Sequence, residues 1–343
     1  YENDTFFDKV VDWSFINEKS RFWYMVDLLQ KLQPEFVICT KPNIPSTFYA
    51  YFLLQHKPVY TKFIFAPWGD IITYKTSSLN DEEMMDSFKV NFQTLKSIQY
   101  CEQYLLQKSD AVLSSYRGYY RDNVLLKETK KLLSTTFFIH PKNFVFSDNQ
   151  SVDNIKICYA GSIDCAEDGS QLWQLIMDHS HDYRIIAEQS VYLDVYTFNS
   201  ATLFCYEQLS QQSQYFSLYF NTPHWQLPQQ LKGYHFGLVW SNISDKKNRQ
   251  KLFPGDHSTF LAKALVYLAA GIPIIVCEGL VLMANFVKEH GLGIVVKNED
   301  LAKLSELIKQ EDYLLLKNKV KTFQQNYVQA QHELEISNFF KTF

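Results

Sequence analysis

Lys263 to Val276 reads KALVYLAAGIPIIV, a helical pattern that stops at Gly271 and passes through Pro273 into an unbroken apolar run. A glycine that accepts a left-handed backbone, followed by a proline that cannot continue the helix, marks a C-terminal boundary. Upstream, GDHS at 255–258 offers Asp256 or Ser258 as N-cap, so a helix is expected from about Ser258 to Ala270. The run IPIIV from Ile272 to Val276 has no polar face and reads as a strand covered on both sides, as in a parallel sheet wrapped by helices. A helix N-terminus carries free N–H groups and the positive end of the helix dipole, which suits an anion such as a diphosphate. Lys263 stands one turn inside and could reach the same anion; it could equally be a surface lysine on a scaffold helix.

Working outward, the same alternation recurs. Buried strands are expected at Ile155 to Tyr159 (IKICY), Arg184 to Ala187 (RIIA), Phe216 to Phe220 (FSLYF), Phe236 to Trp240 (FGLVW) and Gly293 to Val296 (GIVV), with a helix at Gln171 to His179 and two more at Leu301 to Lys309 and Tyr313 to Val328. In the first half, strands are expected at Phe36 to Cys39, Phe63 to Ala66 and Ala111 to Ser115. Helices are expected at Phe22 to Lys31, Thr47 to Leu54 and Glu82 to Lys108. Periodicity stops between His140 and Asn154, where polar turn formers collect. The expected organisation is therefore α/β, with one Rossmann-like domain over 1–150, a second over 151–311, and a C-terminal helix over 312–343 that could return to the first domain. Two such sheets in series place their C-terminal edges around a central cleft, where ligands of parallel sheets bind.

Composition narrows the function classes. At 343 residues and 46% hydrophobic, the chain holds enough apolar matter for two cores. Its net charge of −4 gives no field to draw a nucleic acid. Arg117, Arg121, Lys127, Lys130 and Lys131 lie among Tyr116, Tyr119 and Tyr120; this segment reads as a solvated helix face or as a peripheral contact with anionic lipid headgroups. The six cysteines have neither zinc spacing nor a disulfide framework, which fits free thiols in a reducing, cytoplasmic setting. No run is long and apolar enough to cross a bilayer, and YENDTFF is not a signal peptide. Tyr1 stands where a methionine would begin a chain, so the sequence could start inside a longer one.

FGLVW at 236–240, a polar loop through Asp256, and then HSTFLAKALVYLAAGIPIIV resemble the C-terminal domain of GT-B glycosyltransferases. More narrowly, they resemble the bacterial group of galactofuranosyltransferases and of the glucosyltransferase that extends GlcNAc on serine-rich adhesins. In that group a G-L-V-W strand precedes a K-x-x-x-Y-L-A-x-G-x-P-V-I-V pattern, matched here by Lys263, Tyr267, Leu268, Ala269, Gly271, Pro273, Ile274, Ile275 and Val276. The match runs from Phe236 to Val296. By position it implies that Lys263 and the Ser258 and Thr259 amides hold the diphosphate of a nucleotide-sugar donor, with a UDP-sugar favoured and no separate cofactor. Gly161 and Ser162, after IKICY, would form the small turn facing it, while Tyr267 is expected to be core packing. The resemblance fails at one point: many retaining members carry two glutamates eight residues apart at this helix, where this chain has Ser258 and Val266.

In the first half PWGD at 67–70 follows a strand, so Trp68 could pack on an acceptor sugar and Asp70 could act as general base; the alternative is a tight turn with Asp70 capping a backbone group. Asn221, Trp240 and Ser241 stand at strand ends, where a base or sugar could be contacted. No H-x-x-x-H, H-E-x-x-H, Walker A or G-x-S-x-G pattern is present, so no metal site is expected. The reading is a metal-independent hexosyltransferase acting on a glycan, glycolipid or glycoprotein hydroxyl. A non-catalytic GT-B module assisting a partner transferase is the alternative, and homo-oligomerisation is left open.

Overall fold

The computed structural model describes residues 18–40, 44–66, 81–82, 85, 90–114, 132–134, 144–147, 154–166, 177–197, 203–241, 262–329 and 338–341. Its strands form two sheets, and every pairing in them is parallel.

The first sheet has the order β1-β2-β3-β4, from β1 (Phe36–Thr40), β2 (Lys62–Ala66), β3 (Ala111–Ser114) and β4 (Leu132–Ser134). Between them run α2 (Ile44–His56) and α3 (Phe92–Lys108), with α1 (Glu18–Leu32) packed on α2. Phe63 and Phe65 of β2 join Val112 of β3, Ala50 and Leu53 of α2 and Leu105 of α3 in one core, all buried. α3 starts ten residues later than the expected Glu82 because Asn91 caps it: the Asn91 Oδ1 accepts from the Thr94 N–H at 2.8 Å. β4 escaped the sequence reading, since a three-residue strand is too short to display a period.

The second sheet has the order β10-β9-β8-β5-β6-β7, from β5 (Lys156–Ala160), β6 (Tyr192–Thr197), β7 (Phe216–Phe220), β8 (Phe236–Val239), β9 (Ile274–Cys277) and β10 (Gly293–Val296). Numbered from β5, this is the 3-2-1-4-5-6 order of a doubly wound dinucleotide-type fold, and the winding reverses between β5 and β8. The crossovers carry α4 (Ser180–Glu188), α5 (Phe204–Gln212), α6 (Leu227–Leu231), α7 (Ala262–Ala269) and α8 (Val281–His290).

One strand assignment needs correcting. RIIA at 184–187 lies inside α4, where Tyr183, Ile186 and Ala187 are buried and Arg184 and Glu188 are exposed. That i, i+3, i+4 spacing is helical; a four-residue apolar run does not by itself separate the two periods. The strand is instead YLDVYT, β6.

The expectation of six free thiols is also corrected. Cys165 and Cys205 form a disulfide, while Cys39, Cys101, Cys158 and Cys277 are free. The bridge joins the loop after β5 to the first turn of α5, 40 residues away in sequence, so only the packing of α5 beside that loop brings the two sulfurs together.

α9 (Leu304–Gln310) and α10 (Tyr313–Gln329) close the second domain. α10 buries Tyr313, Leu316, Val320 and Gln324. The Gln324 Nε2 donates to the carbonyls of Leu268 (2.7 Å), Ala269 (3.2 Å) and Val145 (3.1 Å), satisfying the C-terminal end of α7. Gly271 follows at φ +72°, and a Cβ there would stand 2.7 Å from the Val145 carbonyl oxygen, so both backbone and space demand glycine. Beyond α10, the Phe340 ring meets Phe36 of β1 edge-on at 5.1 Å. Among the described residues no helix is long and apolar enough to cross a membrane. The basic-aromatic segment at 116–131 lies outside them.

Candidate functional site

The winding reversal places the ends of β5 and β8 side by side at the C-terminal edge of the second sheet. Their ladder pairs only Ile157 with Phe236 and Cys158 with Gly237, whereas β5 stays paired with β6 as far as Ala160 and Tyr196. Beyond Cys158 the strands part, and the Tyr267 hydroxyl fills the gap. It accepts from the Ala160 N–H at 2.7 Å and donates to the Leu238 carbonyl at 3.0 Å, replacing ladder bonds that the two strands no longer make. The ring fits because residue 237 is glycine: a Cβ there would lie 2.1 Å from the Tyr267 Cγ. Burial pushes the Tyr267 phenol well above its ordinary pKa, so it keeps the proton it donates. Tyr267 is therefore core, as expected.

Lys263 lies four residues earlier on α7, on the same helix face. Its ammonium donates to the Tyr159 hydroxyl at 2.6 Å and stands 4.0 Å from the centroid of that ring. The Tyr159 hydroxyl in turn donates to the Ser162 carbonyl at 3.0 Å, and the Gly161 N–H donates to the Tyr196 carbonyl at 3.0 Å. A Cβ on Gly161 would sit 3.2 Å from the Lys263 Nζ and 3.3 Å from the Tyr159 oxygen, so the bare backbone at 161 leaves room for the lysine. The structure thus brings Gly161, Ser162 and Lys263 together, joined through Tyr159. Sequence reasoning missed Tyr159 because the pattern IKICY marks it as an ordinary buried strand residue; its position just before the AGS turn was the available signal.

Behind Tyr159 lies a buried aromatic layer. The His179 ring is 5.7 Å from Tyr159 and 5.5 Å from Tyr183. Burial, and then the charge of Lys263, push the His179 pKa down to about 3, so the imidazole is neutral; its buried Nδ1 has no hydrogen-bond partner among the described residues. The His179 backbone N–H donates to the Tyr206 hydroxyl at 2.7 Å, and that hydroxyl reaches the carbonyls of Asp164 (3.2 Å) and Met177 (3.3 Å). Asp178 accepts from the N–H groups of Ala166 and Ser180, each at 2.8 Å. With the Cys165–Cys205 bridge, these bonds fix the loop that leaves β5.

Trp240, after β8, is buried, and its Nε1 donates to Asp182 on α4 at 2.9 Å. Burial raises the Asp182 pKa, partly opposed by this hydrogen bond. Ser241 beside it is buried. Asn221 ends β7, the outer strand, two strands away from β5; it is exposed, with φ +56° and its N–H on the Thr197 carbonyl at 2.9 Å. Val266, at one of the two positions that the resemblance aligns with the glutamates of many retaining GT-B enzymes, is buried in the core. Trp68, Asp70, Ser258 and Thr259 lie outside the described residues. Among the described residues no group of three or more His, Cys, Asp or Glu is arranged to hold a metal ion.

Residues 185–333 match the profile of a family described as Glucosyltransferase 3-like, C-terminal domain. No curated protein matches the chain. Among solved structures, TarM matches at a TM-score of 0.54 and 12% identity, over 93% of this chain and 57% of that one. A mutant of S. aureus TarM in complex with fondaparinux, alpha-GlcNAc-glycerol and UDP matches at 0.55 and 12%, over 94% and 58%. The pneumococcal O-GlcNAc transferase GtfA in complex with UDP and GlcNAc matches at 0.50 and 11%, over 94% and 59%. The chain thus spans less than three fifths of the length of these structures, and at such identities the likeness is one of fold. The fold is GT-B: two Rossmann-like parallel sheets in series, with residues 185–333 of the second half similar to the glucosyltransferase 3-like C-terminal profile.

Proposed function

We propose that the chain is a glycosyltransferase that moves a sugar from a nucleoside diphosphate sugar, a UDP-sugar by preference, to a hydroxyl of a glycan, glycolipid or glycoprotein. The observation that carries this reading is the ammonium of Lys263, a residue within the stretch matched by the glucosyltransferase-like profile, held at the winding reversal beside the Gly161 turn. A cation fixed against bare backbone can neutralise charge gathering on a leaving diphosphate without reorganising. In this reading Lys263 serves that role without a metal ion, with the Gly161–Ser162 turn and the Ser258 and Thr259 amides completing the donor site. Asn221 would bound the base or sugar. On the acceptor side Trp68 would pack on a sugar face and Asp70 would take the hydroxyl proton. The two solved relatives bound to UDP support the choice of nucleotide.

The test is a calorimetric screen of nucleotide sugars, followed by Lys263→Ala. UDP affinity should fall about tenfold or more, as expected for a lost charge-assisted contact. Unchanged affinity and turnover in Lys263→Ala would refute the assignment. One observation favours a second reading, a non-catalytic module: Val266 is buried where a sugar-contacting carboxylate stands in many relatives of this fold. Such a module would neither hydrolyse nor transfer from any donor in the screen.

A further inference from the structure

We infer that Tyr159 is the positioning residue of the donor site, aiming Lys263 at the bound diphosphate. The inference rests on the donor-diphosphate reading of Lys263 and adds to it a residue that acts only through others. Three observations converge on the phenol oxygen. Its single proton goes to the Ser162 carbonyl at 3.0 Å, so toward Lys263 it can only accept, and the 2.6 Å contact has the right polarity. One of the three ammonium hydrogens is thereby used and two remain to be directed at phosphate oxygens. The Tyr159 side chain is itself fully buried, flanked by the rings of His179 at 5.7 Å and Tyr183 at 5.6 Å, so its hydroxyl is a fixed point.

A lysine has four side-chain torsions and, left free, would spread its charge over many positions. Here both ends are held. Tyr267, one turn along α7, bonds to the backbones of β5 and β8, while Tyr159 holds the ammonium from the end of β5. Gly161 belongs to the same device. A methyl at that position would come within 3.3 Å of both the ammonium and the phenol oxygen, and its φ is not in the left-handed region. Its absence of side chain therefore serves the lysine pair and not a strained turn. The neutral state of His179 fits as well, since a cation there would repel Lys263.

The experiment is a double-mutant cycle read by calorimetry, with UDP and then inorganic pyrophosphate as probes. Tyr159→Phe keeps the ring and removes only the oxygen; it should weaken UDP about three- to tenfold while the thermal midpoint of the free protein changes little. In a Lys263→Ala background the same change should have no further effect, and pyrophosphate should follow the same pattern. Wild-type affinity in Tyr159→Phe, or an equal loss in both backgrounds, overturns the positioning role and leaves the donor reading standing. Wild-type affinity in Lys263→Ala overturns the donor reading itself. Should Tyr159→Phe not fold, Gly161→Ala reads the same pair: its loss should vanish in the Lys263→Ala background, and a loss that persists there overturns the inference.

Discussion

Replacing Tyr267 with phenylalanine removes one oxygen atom from the junction of β5, β8 and α7. The ring stays, seated over Gly237, so no cavity opens and no overpacking follows. Two backbone groups lose their partner: the Ala160 N–H, bonded at 2.7 Å, and the Leu238 carbonyl, bonded at 3.0 Å. Tyr267, Ala160 and Leu238 are all buried, so water does not replace the hydroxyl. Each buried group left unsatisfied costs about 1–3 kcal/mol, and with some relaxation of the splayed strands the pair should cost about 2–4 kcal/mol. In equilibrium urea unfolding, with a slope of about 3 kcal/mol per M, the midpoint should fall by about 1 M at unchanged slope. Far-UV circular dichroism would follow the whole chain, while the fluorescence of Trp240, buried in the same domain, would contribute a local signal. A midpoint shift under about 0.2 M would refute the claim that this hydroxyl substitutes for the missing ladder.

Two further outcomes follow from buried groups of the same domain. His179 is held neutral, its pKa pushed from 6.5 to about 3 by burial and then by Lys263. The unfolded chain takes up this proton as pH drops below the ordinary value, so the stability is complete above pH 6.5 and is lost as pH falls toward 3. The contribution is up to about 1.4 kcal/mol per pH unit; His179→Phe should flatten the dependence of the urea midpoint over that window, and an unaltered slope would contradict a neutral buried imidazole. Second, denatured, unreduced protein should alkylate at four of its six cysteines, and at all six after reduction. Cys205→Ser opens a 40-residue loop and should cost about 3–4 kcal/mol on chain entropy, read as a lower thermal midpoint; six labelled thiols without reductant would exclude the bridge.

Much of the fold is legible in the sequence where physics is local. Gly271 and Pro273 stop α7, the two-sided apolar runs FVIC, FIFA, IIVC and GIVV are strands of parallel sheets, and α10 spans nearly the residues its period marks. Local signals failed where two periods fit equally, as at RIIA, or where an element was too short to show one, as at β4.

The sequence by itself determined the architecture, two α/β domains, and placed Lys263 one turn inside a helix, because helix stops and buried runs are encoded by neighbours along the chain; Gly161 and Ser162 came from the family resemblance. It also marked Tyr267 as packing. The partners of these residues were decided only in three dimensions. The 3-2-1-4-5-6 winding brings Tyr159 and Lys263, 104 residues apart, within a hydrogen bond; it sets Tyr267 against Gly237 and carries Cys165 to Cys205. Such contacts depend on which strand lies beside which, and strand order leaves no periodic trace in a single sequence.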